Sequence, residues 1–203
     1  IVLGVGGGIA AYKAVEVCRR LVDAGAFVSP VLTAGALEFV GALTFSALAS
    51  ESARTSLFSR DAGVGGTGPE PIPHTRRGQQ ADLVVVAPAT AAVLGKYAHG
   101  ISDDLLTATL LATRAPVLVA PALHTEMWEH AAVQDNLATL RRRGVHVVDP
   151  VPGRLAGGDV GEGRLADPAH IVAAADRLLG PNDLAGVRVL VTAGGTREPI
   201  DAV

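Results

Sequence analysis

The stretch Ile1-Val2-Leu3-Gly4-Val5-Gly6-Gly7-Gly8-Ile9-Ala10-Ala11-Tyr12-Lys13 opens apolar, passes through a glycine cluster and enters a helical pattern. The apolar run Ile1–Val5 predicts a buried strand. Ile9–Ala24 carries apolar residues at Ala11, Ala14, Val15, Cys18, Leu21 and Val22, which is helical spacing, with Gly25 as the stop signal. A strand, a glycine turn and a helix in this order expose backbone amides at a helix N-terminus, a ready anion site. The turn does not fit a dinucleotide fingerprint. Counting Gly-x-Gly-x-x-Gly from Gly4 ends on Ile9, and counting from Gly6 ends on Ala11. The next strand ends in Thr33 rather than in the Asp or Glu that grips a ribose diol. The reading is a mononucleotide with a terminal phosphate, beside the plainer reading of a packing turn with no ligand.

Outward from this unit, further short apolar runs recur at Phe27–Leu32, Leu83–Ala87, Val117–Ala120 and Val145–Val148. Between them Asp103–Thr113, Glu126–Arg143 and Pro168–Leu179 read as helices. The alternation predicts an α/β protein, a Rossmann- or flavodoxin-like doubly wound parallel sheet in three layers. Two segments break the pattern. Asp61–Pro73, with four glycines and three prolines, reads as a mobile loop leading into His74, and Pro152–Arg164, with five glycines, as a second long loop. The domain reading is 1–180 for the sheet domain and 181–186 for a linker. Residues 187–203 then read as the start of a further nucleotide-binding domain, a strand and turn that cannot bury a core alone.

The 203 residues are 49% hydrophobic, ample for one core, but only 3% aromatic, so that core rests on Val, Leu, Ala and Ile. A net charge of −3 with interspersed signs argues against nucleic acid and membrane surfaces as partners. Arg141, Arg142 and Arg143 fall at a predicted helix end, where cations complement the dipole. One cysteine, Cys18, excludes an internal disulfide and fits a reducing, cytoplasmic compartment, and its place on the helix stripe marks it as packing. No apolar run reaches the ~20 residues needed to span a bilayer. His99, His130, His146 and His170 show no ligand spacing, so no metal site is expected.

Five segments together resemble the homo-oligomeric flavin-containing cysteine decarboxylases, a family that includes phosphopantothenoylcysteine decarboxylase and the peptidyl-cysteine decarboxylases of modified-peptide (RiPP) pathways. They are Gly7-Gly8-Ile9-Ala10-Ala11-Tyr12-Lys13, then His74, Ala87-Pro88-Ala89-Thr90, Pro121-Ala122-Leu123-His124-Thr125-Glu126-Met127-Trp128, and Arg154-Leu155-Ala156-Gly157-Gly158-Asp159. The tail 189–201 resembles the start of the synthetase half of the bifunctional coenzyme A enzyme. The resemblance implies FMN as cofactor, with Gly7, Gly8, Ile9 and Thr33 at its phosphate and ribityl chain and Thr90 and Ala122 along the flavin. It implies His74 and His124 as catalytic residues and Met127, Ala156 and Gly157 against the substrate. It also implies a trimer, often built into a dodecamer, in which His74 faces a neighbouring subunit's flavin.

The chemistry explains the parts. Direct loss of CO2 from a cysteine amide leaves an unstabilised carbanion; oxidation of the thiol-bearing carbon by flavin gives a thioaldehyde, from which CO2 departs to leave an enethiolate. A histidine titrates in the right range to act as base near the thiol, the role expected of His74. His124 stands where the family has asparagine, and an imidazole can still bond the substrate carboxylate. Thr90 is followed by Ala91-Ala92-Val93 where the family has Ala-Asn-Thr. Gly157 stands where many family members carry a proton-donating cysteine. Two outcomes stay open: reduction of the enethiol to give phosphopantetheine in coenzyme A biosynthesis, or its release, as in oxidative decarboxylation of a peptide's C-terminal cysteine. The rival classes are a non-catalytic flavin-binding regulatory protein and an NAD-linked oxidoreductase, the latter disfavoured by Ile9 and Thr33.

Overall fold

The computed structural model describes residues 1–58, 73–158 and 160–180 and the single residue Gly194, without the side chains of Pro73 and His74. Five strands, β1 (Val2–Val5), β2 (Ser29–Leu32), β3 (Val84–Ala89), β4 (Val117–Pro121) and β5 (His146–Val147), form a parallel sheet in the order β2-β1-β3-β4-β5. This is the doubly wound order in which the chain leaves β1 to one side and later returns on the other. The first four strands are buried at every position, as expected of a parallel sheet covered on both faces.

The period of two sorts their side chains between two cores. Leu3, Val5, Val85, Ala87, Leu118 and Ala120 face one side, where they meet α1 (Ala11–Asp23), α3 (Ala42–Leu48) and α9 (Pro168–Leu179). Val2, Val84, Val86, Val117 and Val119 face the other, against α5 (Ala91–His99), α6 (Leu105–Ala112) and α8 (Ala131–Arg142). On α1 the buried residues are Ala11, Ala14, Val17, Cys18 and Leu21, the stripe the sequence predicts. Gly25 ends that helix at φ 88°, its amide bonding the Val22 carbonyl while the amide of Ala26 reaches Leu21, a Schellman closure that favours glycine.

The strand and helix expectations hold in place, with corrections at three points. The span 126–143 is not one helix. His130, at φ −62° and ψ 129°, ends α7 (Thr125–Glu129), and its ring nitrogen accepts the amide of Ala132 to cap α8. The expected loop 152–164 is an antiparallel hairpin, β6 (Val151–Arg154) and β7 (Val160–Arg164). Its glycines serve close packing: a Cβ on Gly161 would overlap Thr125, and one on Gly163, at φ 115°, would overlap the Leu123 carbonyl. Of the expected loop 61–73, residues 61–72 lie outside the described residues, and Pro73 opens α4 (Pro73–Gln80), a position that suits its missing N–H. A short α2 (Ala34–Leu37), together with α3, α4 and α5, adds helices that the apolar periodicity did not reveal. The tail 187–203 lies outside the described residues except for Gly194.

Candidate active site at the carboxyl edge of the sheet

Four loops leave the carboxyl ends of β2, β1, β3 and β4 side by side, at the point where strand order reverses and such folds bind ligands. Their closeness depends on missing side chains. Gly6 donates its amide to the Pro88 carbonyl at 3.0 Å, and a Cβ on Gly6 would sit 2.5 Å from that oxygen. A Cβ on Gly7 would lie 2.5 Å from the carbonyl carbon of Gly35. At Gly8 the nearest group to a Cβ is the Thr90 methyl at 3.8 Å, so the turn opens there. The turn thus wedges between the β2 and β3 loops, and its three glycines present a surface free of Cβ atoms.

The first turn of α1 begins at Ala10 with no side-chain cap; the amides of Ala11 and Lys13 are taken by the Gly8 and Ala10 carbonyls at 2.9 and 3.0 Å, and the positive end of the helix dipole faces the turn. Thr33 works differently from a free donor. Its hydroxyl donates to the Val5 carbonyl at 3.2 Å and accepts from the Ala36 amide at 3.2 Å, which caps α2 and holds Gly35 against Gly7. Thr90 likewise caps α5 by accepting from Val93, and its methyl faces Gly8. Lys13, one turn into α1, is partly buried. Burial first, then the nearby Arg164 guanidinium, push its ammonium below the usual range, while Asp167 and Glu16 pull it back up.

The β4 loop carries His124. Ala122 donates to the Ala89 carbonyl at 3.2 Å, Leu123 to the Gly163 carbonyl at 2.9 Å, and the Thr125 hydroxyl to the Glu162 carbonyl at 2.8 Å. The hairpin therefore grips the residues on either side of His124. The amide of Trp128 bonds the His124 carbonyl at 2.9 Å, and Trp128 packs on the core while Met127 stays half exposed. Nδ1 of His124 pairs with the Glu126 carboxylate. The carboxyl of Glu126 is held below the usual carboxylate range by its own backbone amide first and by His124 second.

Of the residues singled out from the sequence, Gly7, Gly8, Ile9, Thr33, Thr90, Ala122 and His124 thus gather at one edge. Ala156 and Gly157 are exposed at the tip of the hairpin, tied to the site through its second strand. His74 is the second residue of α4, which packs on α6 and is fastened to the sheet by the buried Arg77, bonded to Ser29 and Glu51; the side chain of His74 lies outside the described residues. Sequence reading quoted Gly6, Lys13 and Glu126 within longer segments but gave them no role of their own, and it passed over Gly35 and Arg164. For Glu126 the signal was available, since His-x-Glu across a helix start brings the two side chains together. The exposed His146 and His170 border, with Arg177, a separate cavity of about 300 Å³ between β5 and α9. No helix among the described residues is long and apolar enough to cross a membrane.

A mononucleotide cradle on this sheet order defines a flavodoxin-like class, and residues 1–180 match the flavoprotein family, to which the chain belongs. It is 55% identical over 208 aligned residues to the coenzyme A biosynthesis bifunctional protein CoaBC of Mycolicibacterium smegmatis, covering 100% of this chain and 48% of that one. The chain thus spans about half the length of the curated relatives it matches. Among solved structures it resembles a PPC decarboxylase mutant complexed with pantothenoylaminoethenethiol, at TM-score 0.75 and 30% identity over 87% of this chain and 95% of that one. The FMN-dependent cysteine decarboxylase SpaF follows at TM-score 0.69 and 30% identity, covering 86% and 95%. The resemblance read from the five segments holds.

Proposed function

We propose that the chain is an FMN-dependent decarboxylase of an acylated cysteine, acting on phosphopantothenoylcysteine to give phosphopantetheine for coenzyme A biosynthesis. The observation that carries this reading is the cradle of Gly6, Gly7 and Gly8 between Gly35 and Thr90, beside the clamped His124. The fit to FMN rests on its physical form: a surface without Cβ atoms admits a phosphate close to the backbone of the glycine turn, and the start of α1 lends it a favourable dipole. Bound there, FMN supplies the electron sink that lets CO2 leave the carbon next to the thiol-bearing one.

The chain's own residues divide the remaining work. Gly7, Gly8 and Ile9 hold the phosphate end, with Thr33 shaping their surroundings, and Thr90 and Ala122 border the ring. His124 binds the substrate carboxylate, and Met127, Ala156 and Gly157 close on the substrate from α7 and the hairpin tip. His74 takes the thiol proton, reaching a neighbouring subunit's site in a trimer that can build a dodecamer. Exposed apolar side chains at Leu37, Phe39 and Leu43 suit such self-association.

The test is purification of the chain followed by assay. A yellow protein that takes up FMN and releases CO2 from phosphopantothenoylcysteine is expected; a colourless protein that cannot take up FMN ends the proposal. One observation favours a second reading. Gly157 itself has no side chain with which to protonate an enethiol, as suits release of an oxidised product from a peptide's C-terminal cysteine. Mass spectrometry separates the two, since the first product has lost CO2 alone and the second CO2 and two hydrogens.

A further inference from the structure

β5 is the last strand of the sheet, and only His146 and Val147 belong to it. Side chains alternate along a strand. Val147 packs into the core on the α8 side and Val148 into the core on the α9 side, so His146 falls on the α9 side as well. α9 itself packs on α1 and β4, and among the described residues no further strand fills the space beneath its outer edge. The cavity of about 300 Å³ between β5 and α9 results. Its floor is aliphatic, built by Leu118, Val148, Ala174 and Leu178, while His146, His170 and Arg177 are exposed at its rim. His170, Ala174 and Arg177 are spaced i, i+4 and i+7, so both rim groups of α9 share the face that supplies the floor.

The polar lining is of one kind. No carboxylate lines the cavity. Asp149, just past β5, is bonded to Arg141, the carboxylate of Asp167 caps α9 by accepting from Ala169, and Asp176 lies about 100° round the helix from Arg177. Among the described residues the side chains of His146, His170 and Arg177 form no hydrogen bond or ion pair. A guanidinium and two imidazoles without partners, set over an aliphatic floor, suit an anion with an apolar body. We propose that this cavity binds an aliphatic phosphate monoester, its phosphate held among Arg177, His146 and His170 and its chain laid on the floor. A phosphate dianion has three free oxygens for three donor groups where a carboxylate has two, and the guanidinium fork takes two of them at once. Each imidazole offers an N–H in either charge state. No Phe, Tyr or Trp lines the cavity, so nothing there stacks on a nucleobase or a flavin ring. The site is separate from the glycine cradle, whose walls are Gly35 and Thr90, and it does not rest on the function proposed above.

The experiment titrates butyl phosphate into the chain by calorimetry, with FMN in excess to occupy the glycine cradle. Saturable binding with a Kd of about 0.1–1 mM is expected for a ligand of about nine heavy atoms. Inorganic phosphate lacks the chain and butan-1-ol lacks the charge, so each should bind at least about 10-fold more weakly. Pentanoate should bind about 3- to 10-fold more weakly. Arg177→Gln should weaken butyl phosphate at least about 10-fold, and His146→Gln and His170→Gln about 3-fold each. All three side chains are exposed, so the variants keep the fold, which thermal unfolding checks. A crystal structure with butyl phosphate should place its phosphorus among the three groups. No saturation by about 10 mM overturns the inference. So does an unchanged Kd in Arg177→Gln, which would put the ligand elsewhere, or equal affinity for inorganic phosphate, which would leave the floor without a part. Pentanoate binding more tightly than butyl phosphate overturns the choice of phosphate. None of these readings depends on whether the chain decarboxylates a cysteine, so the failure of either proposal leaves the other standing.

Discussion

Cys18 shows how far one residue can be read from spacing alone. It lies on the α1 stripe, is fully buried, and burial pushes its thiol from 9.0 up to about 11. Because the folded value lies above the unfolded one, the thiol's contribution to stability is complete below pH 9.0 and is lost as pH rises towards about 11. The stability gap between wild type and Cys18→Ala, measured by denaturant unfolding, should therefore narrow over that window. An alkylating reagent should leave the native thiol unmodified at neutral pH. Gly7 makes the opposite case, a residue valued for what it lacks. In Gly7→Ala the new Cβ must push on the backbone of Gly35, 2.5 Å away, and open the cradle. Flavin fluorescence titration should show affinity for FMN weakened at least about 10-fold, or about 1.4 kcal/mol, with the fold retained.

At the scale of elements, legibility followed the length of the pattern. The five strands of the sheet, α1 and α9 were visible because apolar runs and helical stripes fill them. Four further helices escaped. α2 and α5 begin at threonine caps whose partners lie three residues on, and α3 buries only Phe45. The polar α4 is held by Arg77 through Ser29 and Glu51, partners distant in sequence. The hairpin was misread because its five glycines look like punctuation, whereas Gly161 and Gly163 are present so that β7 can lie directly on the His124 segment. A substitution separates these readings. Gly163→Ala forces a side chain into φ 115° and against the Leu123 carbonyl, which in a free loop would cost little. We expect a loss of about 1–3 kcal/mol by denaturant unfolding, together with a raised KM as His124 shifts.

For the whole molecule, the site was legible in outline and not in mechanism. The loops that meet at the strand ends could be anticipated from the glycine turn and the Pro-Ala-x-x-x-x-Met-Trp stretch, because sheet order brings carboxyl ends together whatever the loops contain. The electrostatic pairs could not, since Lys13 with Arg164 depends on where a hairpin folds back. His74 raises the largest question of scale, because α4 packs on α6 while His124 rides on the β4 loop. If His74 serves the site of a neighbouring subunit, each site is built from two chains, and two inactive variants can repair one another. His74→Asn and His124→Ala should each bind FMN and each lose turnover. Unfolded together at equal amounts and refolded as mixed assemblies, they should regain about a quarter of wild-type activity, the share of sites at which chance joins one intact His124 to one intact His74. If both histidines must come from one chain, mixing restores nothing, because no chain in the mixture carries both. Light scattering on the same samples checks that the mixed assemblies have the size of the wild type, so that a failure to assemble is not read as a failure to share.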